Sequence, residues 1–268
     1  MPASSATAAI RSKLLFSALL ALAACEDPPA APAPPVEQVQ AGHCRSQSFE
    51  GSSFTVCRYD ARAHRLELVV ADDDGPLRSF DALERHLGER GERLLFAMNA
   101  GMYDEEGRPI GLYVEQGERQ RRVNLREGPG NFHMKPNGVF AVDEQGRVSV
   151  TASDAFARRA PARVMWATQS GPMLVIAGRL HPAIRPDGES RLVRNGVGVS
   201  DERTAWFVLS DDPVSFGKLA RFFRDALRCP DALFLDGTVS SLWDPAAGRR
   251  DGYDSLGPMV MVFSRNPL

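Results

Sequence analysis

Residues 232–244 read ALFLDGTVSSLWD, an apolar run that ends on Asp236 and passes straight into a glycine and a set of small hydroxyl-bearing residues. A short apolar run of this kind reads as a buried strand. The sheet holds the carboxylate rigidly at its rim, and Gly237, Thr238, Ser240 and Ser241 leave space around it. The bland reading is that Asp236 forms the turn and caps its own loop, which aspartate does well. The position is therefore weighed together with similar places elsewhere in the chain.

Four more apolar segments adjoin polar, glycine-containing stretches. LLFAMNAGMY ends on Asn99, and NFHMKPNGVF carries Lys135 and Asn137. ATQSGPML sets Gln169 and Ser170 before Gly171-Pro172, and RNGVGV sets Arg194 and Asn195 before two glycines. Taken singly, Asn137-Gly138 and Asn195-Gly196 read as turns, Arg194 and Lys135 as surface cations, and Ser240 or Ser241 as a helix cap. Together the five sites present one chemistry. Arginine offers a planar fork of donors to a phosphate, and lysine a point charge. Asn and Gln both donate and accept, as sugar hydroxyls require. The pattern points to a pocket for a sugar or a phosphate.

Strands dominate the rest of the chain. SSFTVCRYD and HRLELVVA read as an opening hairpin around residues 61–63. GLYVEQGERQRRV and GVFAVDEQGRVSVT each place glycine between two β-rich runs. RLLFAMN, RVMWATQS, MLVIAG, TAWFVLS and PMVMVFS complete the strand set. Two helices are predicted: FDALERHLGER, capped by Ser79, and a segment opened by Asp212-Pro213 that runs through Phe222 and Phe223 towards Leu227. The fold class is α+β, a mixed, largely antiparallel sheet system with a few flanking helices.

The ends carry targeting information. Arg11 and Lys13 precede LLFSALLALAA, which is too short for an ordinary membrane span and reads as a secretory signal. Leu22-Ala23-Ala24-Cys25 resembles the lipobox of bacterial lipoproteins, with Cys25 lipidated; the alternative is a plain secretory signal cut nearby. Glu26, rather than aspartate, after the cysteine favours an outer-membrane anchor facing the periplasm. The organisation expected is a lipoprotein signal over residues 1–24, a Pro/Ala-rich tether over 25–42 and one folded domain over 43–268. Loss of Arg11 and Lys13 with the signal leaves 30 basic against 34 acidic residues. No basic stripe with interleaved aromatics is present, so nucleic-acid binding is not indicated. In an oxidising compartment Cys44 and Cys57 suit a disulfide, leaving Cys229 as a buried thiol.

Several chemistries find no signature. No Cys/His spacing suits zinc, the five histidines are scattered, and His133 beside Lys135 reads as a local structural or substrate-contacting residue. The Gly-x-Ser-x-Gly elbow and the Gly-x-x-x-x-Gly-Lys loop are missing. Asp72, Asp73 and Asp74 read as a solvated turn rather than metal ligands. No metal and no cofactor is expected.

The blocks NAGMYDEEGRPIGLYVEQG, GNFHMKPNGVF, ATQSGPMLV, RNGVGV and ALFLDGTVSSLW, in this order, resemble the phosphodiester glycosidase family from about Phe49 to the C-terminus. Thr238 and Val239 stand where its animal-type branch has two glycines, and Ala100, Met102 and Tyr103 depart from its asparagine block. The resemblance implies hydrolysis of a sugar-1-phosphodiester at the anomeric carbon, with no cofactor. On family position and residue type it assigns Asp236 to the anomeric centre and Arg194 and Lys135 to the phosphate. Asn99, Asn137, Gln169, Ser170, Asn195, Gly237 and Ser240 would contact substrate, Ser240 touching phosphate or orienting Asp236. Glycosidases ordinarily use two carboxylates, and Glu115 and Asp211 are the candidates for a second. Two other readings compete: a tethered module that grips envelope glycans without cutting them, and a metal-dependent phosphodiesterase. Trp166 and Trp206 sit in strand-like apolar runs, which argues against the glycan-binding module.

Overall fold

Strands buried on one face, such as Ser52–Asp60, or on both, such as Leu94–Asn99 and Met259–Ser264, build three antiparallel sheets that share one core. The structure is a computed structural model, and it describes residues 43–160, 163–252 and 255–265. The signal, Cys25 and the whole tether expected over 25–42 lie outside the described residues.

The first sheet contains β1 (Cys44–Phe49), β2 (Ser52–Asp60), β12 (Met173–Ile176), β13 (Arg179–Leu180), β14 (Asn195–Asp201), β15 (Thr204–Ser210) and β16 (Asp231–Phe234). Their order across the sheet is β1-β2-β15-β14-β16-β12-β13. The second has β7 (Tyr113–Glu115), β8 (Glu118–Arg121), β9 (Gly138–Asp143), β10 (Val148–Ala152) and β11 (Val164–Ser170), in the order β10-β9-β11-β7-β8. The third has β3 (His64–Val69), β6 (Leu94–Asn99), β17 (Leu242–Asp244), β18 (Arg249–Arg250) and β19 (Met259–Ser264), in the order β18-β17-β6-β19-β3. A short hairpin, β4 (Ala71–Asp72) and β5 (Gly75–Pro76), lies over the acidic turn.

The core forms where the three sheets face one another. Phe96 on β6, Phe140 on β9 and Phe207 on β15 meet there, with Phe207 5.6 Å from each of the other two rings. All three are buried. Tilted and edge-on aromatic pairs of this kind add about 0.5–1.5 kcal/mol each beyond the area they bury. The outer face of the first sheet is covered by α3 (Phe216–Arg221) and the π-turn Phe222–Ala226, where Phe54 and Phe222 stack at 4.1 Å. α1 (Phe80–Leu87) covers the third sheet with Phe80, Leu83 and Leu87, one stripe at helical spacing, and the Ser79 hydroxyl caps it by accepting from the Ala82 N–H. α2 (Ser153–Arg158) follows β10 directly and buries Phe156. Cys44 and Cys57 oppose each other on β1 and β2 and form the expected disulfide, while Cys229 is a buried free thiol.

Three expectations need correction. β2 and β3 do not pair: β2 lies between β1 and β15, and β3 pairs with β19. The turn at residues 61–63 carries the chain from one sheet to another, and Tyr59 of β2 shares a core with Leu66 and Leu68 of β3. A hairpin and two stacked strands have the same alternation, so the pattern alone does not separate them. The second helix starts later than Asp212-Pro213. Asp212 accepts from the Ser53 N–H, Val214 bridges to Leu192, and Ser215 is the cap, accepting from Lys218 N–H. RNGVGV is not a turn but the start of the central strand β14. Its glycines admit neighbours: a Cβ at Gly198 would lie 2.5 Å from the Phe223 ring and 2.9 Å from the Cys229 sulfur.

Candidate functional site

The ends of β6, β14 and β16 meet in one hydrogen-bonded cluster. Asn99, the last residue of β6, donates from Nδ2 to the Asp236 carbonyl at 2.7 Å. Its Oδ1 accepts from Asn195 Nδ2 and from the Ser241 N–H, both at 2.9 Å. The Asp236 N–H donates to the Ala100 carbonyl. Asn99 and Asn195 are buried, so the Asp236 carbonyl is fixed by a side chain that has no water to exchange with and that Asn195 holds in place. The Oδ1 of Asn195 is buried without a partner.

The paired ends of β14 and β16 lead to Arg194 and Asp236. Gly196 faces Phe234 across the antiparallel pair, and the Leu235 N–H donates to the Asn195 carbonyl. Arg194 and Asp236 lie one residue beyond these contacts on the two chains. Their charged groups have different surroundings. The Arg194 guanidinium, 2% exposed, donates from Nε to the Val214 carbonyl and from Nη2 to Ser190, and it stacks 3.8 Å from the Phe216 ring centroid. No carboxylate pairs with it among the described residues, and burial pushes its pKa down to about 10, so it stays cationic at neutral pH.

Asp236 is half-buried. One carboxylate oxygen accepts from the Thr238 N–H and caps the single turn Gly237–Val239. Burial raises its pKa above the ordinary carboxylate value, with the Thr238 N–H opposing that in part. Thus Asp236 does cap its own loop, with one oxygen, and the other has no hydrogen bond among the described residues. Ser240 closes the same turn by donating to the Gly237 carbonyl. A Cβ at Gly237 would stand 2.5 Å from the Phe234 ring. Tyr103 adjoins the carboxylate: burial, and then the negative charge of Asp236, raise the phenol's pKa, and its hydroxyl donates to the Ser255 carbonyl. Tyr103 lies in a quoted block, and its fourth place after Asn99 was the available signal for it.

A second polar cluster adjoins the first. Gln169, 1% exposed, accepts from the Leu112 and Asn124 N–H groups at 2.9 and 2.8 Å. It donates to the Asn124 carbonyl at 2.7 Å and to the Ser153 hydroxyl at 2.9 Å. Asn137 donates to the Phe132 carbonyl, and the buried Ser170 hydroxyl has no partner. The loop after β6 presses on this cluster, since a Cβ at Gly101 would lie 2.6 Å from the Gln169 carbonyl oxygen. Gln169 and Asn137 hold the loops around a cavity of about 730 Å³ bounded by residues 104–111 and 121–133.

Lys135 belongs to that second region. Its ammonium donates to the Leu125 carbonyl, on the cavity wall, and makes no hydrogen bond or ion pair with Asp236 or Arg194. Glu115 accepts from the Tyr113 hydroxyl within β7, and burial raises its pKa. Asp211 pairs with Arg249 at 3.0 Å and accepts from Thr55. Neither carboxylate bonds to the Asp236 cluster. Among the described residues no group of His, Cys, Asp and Glu is arranged to hold a metal ion.

A family model described as phosphodiester glycosidase matches residues 92–249. The uncharacterized protein YigE of Escherichia coli strain K12 is 40% identical over 147 residues, which cover 55% of this chain and 57% of that protein. The match thus spans little more than half the length of the curated relative. The zebrafish N-acetylglucosamine-1-phosphodiester alpha-N-acetylglucosaminidase catalytic domain, auto-inhibited by its pro-peptide, superposes with a TM-score of 0.57 at 14% identity, over 83% of this chain and 82% of that one. A hypothetical protein from Synechocystis gives 0.54 at 15% identity, over 83% of this chain and 61% of that one. At those identities the two structures speak for the fold.

Proposed function

Because the chain belongs to the phosphodiester glycosidase family, we propose that it hydrolyses a sugar-1-phosphodiester at the anomeric carbon. Water adds to C1, the C1–O bond breaks, and the phosphate monoester leaves with the bonding electrons; the products are a reducing sugar and the monoester. The observation that carries this reading is Asp236: a half-buried carboxylate with one oxygen uncommitted among the described residues, its carbonyl held by Asn99, which Asn195 holds in turn.

In this mechanism ionised Asp236 faces the anomeric centre, stabilises its oxocarbenium-like charge and takes the proton of the attacking water. A phosphate monoester is a good leaving group, so strong acid assistance from a second carboxylate is not needed. Arg194 is a buried cation with no counter-ion among the described residues, and its charge would favour the departing anion. Asn99, Asn195 and Ser240 act as positioning residues that aim Asp236. The Tyr103 hydroxyl, whose proton goes to the Ser255 carbonyl, offers its oxygen as an acceptor for a sugar hydroxyl beside the carboxylate.

The domain works, on this proposal, at a bacterial envelope membrane, tethered through a lipid on Cys25. The Leu22–Cys25 motif supports this, as does the Cys44–Cys57 disulfide, which suits an oxidising compartment. Replacing Cys25 with Ser should release the protein from the membrane fraction.

Product analysis tests the reaction. The full chain is incubated with a panel of sugar-1-(methyl phosphodiesters), with and without a chelator. The proposal expects free reducing sugar, unaffected by chelation. Sugar 1-phosphate whose release is lost on chelation would identify a metal-dependent phosphodiesterase instead. Saturable binding with no product from any sugar would leave a glycan-binding module.

A further inference from the structure

Arg121, Arg122 and Arg126 line one cavity of about 730 Å³, together with Arg108, Asp104 and Glu127. Arg108 is neutralised by Asp104 and Glu106. The other three make no ion pair among the described residues, in a chain whose formal net charge is −2. The volume is that of a small-molecule site, and its cationic excess is more than one monoanionic phosphodiester needs.

The loop that carries these arginines has little regular structure, yet its backbone is held firmly. Asn124 donates to the Ile110 carbonyl at 2.9 Å, and its own N–H and carbonyl are both bound by the buried Gln169. The Leu125 carbonyl accepts from Lys135, and the Arg126 carbonyl lies 3.0 Å from His133 Nδ1. A solvated charge run has no such bracing. Here the backbone is fixed in advance and three arginines without ion pairs among the described residues line one cavity, with Arg122 bordering a neighbouring one as well.

One segment links this cavity to Asp236. Tyr103, the electrostatic neighbour of Asp236, forms a bridge with Pro109, and residues 104 and 108–111 of the same loop wall the cavity. We infer that the arginine cavity binds the aglycone side of the substrate, and that this aglycone is a polymer carrying further phosphodiester charges beyond the one that is cleaved. This rests on the glycosidase reading of Asp236. The anionic chain lies along Arg121, Arg122 and Arg126, each forming charge-assisted hydrogen bonds to phosphate oxygens, while the terminal sugar reaches Asp236.

Titration calorimetry with poly(glycerol phosphate) of about ten repeats tests the inference on the full chain. Three proteins are compared: wild type, the triple variant Arg121→Gln/Arg122→Gln/Arg126→Gln, and a charge-matched control, Arg62→Gln/Arg85→Gln/Arg179→Gln, whose exposed arginines lie outside the cavity. The cavity variant should bind at least tenfold more weakly, with a flatter salt dependence and an unchanged melting temperature. The control should stay within about twofold of wild type. No binding by wild type, or equal losses in both triple variants, would overturn the inference. If the triple variant fails to fold, Arg126→Gln alone should weaken binding about threefold or more, and an unchanged Kd would count against the site. Asp236→Asn separates the two readings, because it should retain binding. Arginine-dependent binding with no hydrolysis of any sugar-1-phosphodiester would remove the glycosidase and leave the cavity. Hydrolysis with arginine-independent binding would do the reverse.

Discussion

Asn99→Ala removes three buried hydrogen bonds with one substitution. The side chain donates to the Asp236 carbonyl at 2.7 Å and accepts from Asn195 and from the Ser241 N–H at 2.9 Å. An ordinary intramolecular hydrogen bond contributes about 0.5–1.5 kcal/mol net, and a buried partner left unsatisfied costs about 1–3 kcal/mol. Asn195 keeps a bond to the Asn99 backbone carbonyl at 3.2 Å, so two partners are fully orphaned. The expected loss is about 2–4 kcal/mol. For a domain of this size it corresponds to a fall of roughly 5–15 °C in melting temperature. Asp236 also loses a backbone anchor, and misplacing a reacting group by about 1 Å costs on the order of a hundredfold in rate. The assay pairs calorimetric unfolding with steady-state turnover of a sugar-1-phosphodiester. kcat should fall far more than KM rises, which a mere loss of folded protein would not produce. A melting temperature within about 2 °C of wild type, together with unchanged kcat, would refute the view that Asn99 fixes the site.

Asp236→Asn should raise the melting temperature at neutral pH. Burial holds the folded-state pKa of Asp236 above its unfolded value, so the folded protein binds the proton more tightly. Its contribution to stability is greatest at low pH and is lost as pH rises through the folded pKa. The stabilisation from the asparagine variant should therefore shrink as the buffer is taken down into the ordinary carboxylate range, and a melting temperature lowered at pH 7 would contradict this. The acid limb of the pH–rate profile should likewise lie above the pKa of an ordinary aspartate. Gly198→Ala should destabilise by about 1–3 kcal/mol through overpacking against Phe223 and Cys229. Urea denaturation measures it, and adding Phe223→Leu should recover part of the loss.

The strand content of this fold could be read from the sequence because its strands are short runs, either alternating like β2 or continuously apolar like β6 and β19. Which strands pair could not. The turn at 61–63 looks the same whether the chain doubles back within a sheet or crosses to another, and only β15 and β1 flanking β2 decide between them. RNGVGV misled for a related reason. Its glycines signal a turn by local propensity, but they are there to admit the Phe223 ring against β14. At the site, apolar runs that end on Asn99, Asn195 and Asp236 were visible as a type. Their mutual hydrogen bonds were not, since they join residues 96 and 137 positions apart. Lys135 and Arg194 share a chemistry in the sequence yet part in the structure. Lys135 braces the arginine loop, and Arg194 is buried beneath Phe216. Arg121 and Arg122 lie at the end of the hairpin segment GLYVEQGERQRRV and Arg126 just beyond it, and nothing local shows that Gln169 folds their loop around a cavity.

The most direct test is turnover by Asp236→Asn on a sugar-1-phosphodiester, with folding checked by its melting temperature. If this carboxylate stands at the anomeric centre, release of reducing sugar should drop about a thousandfold or more while the protein stays folded. Release within a few-fold of wild type would mean that the chemistry takes place without Asp236.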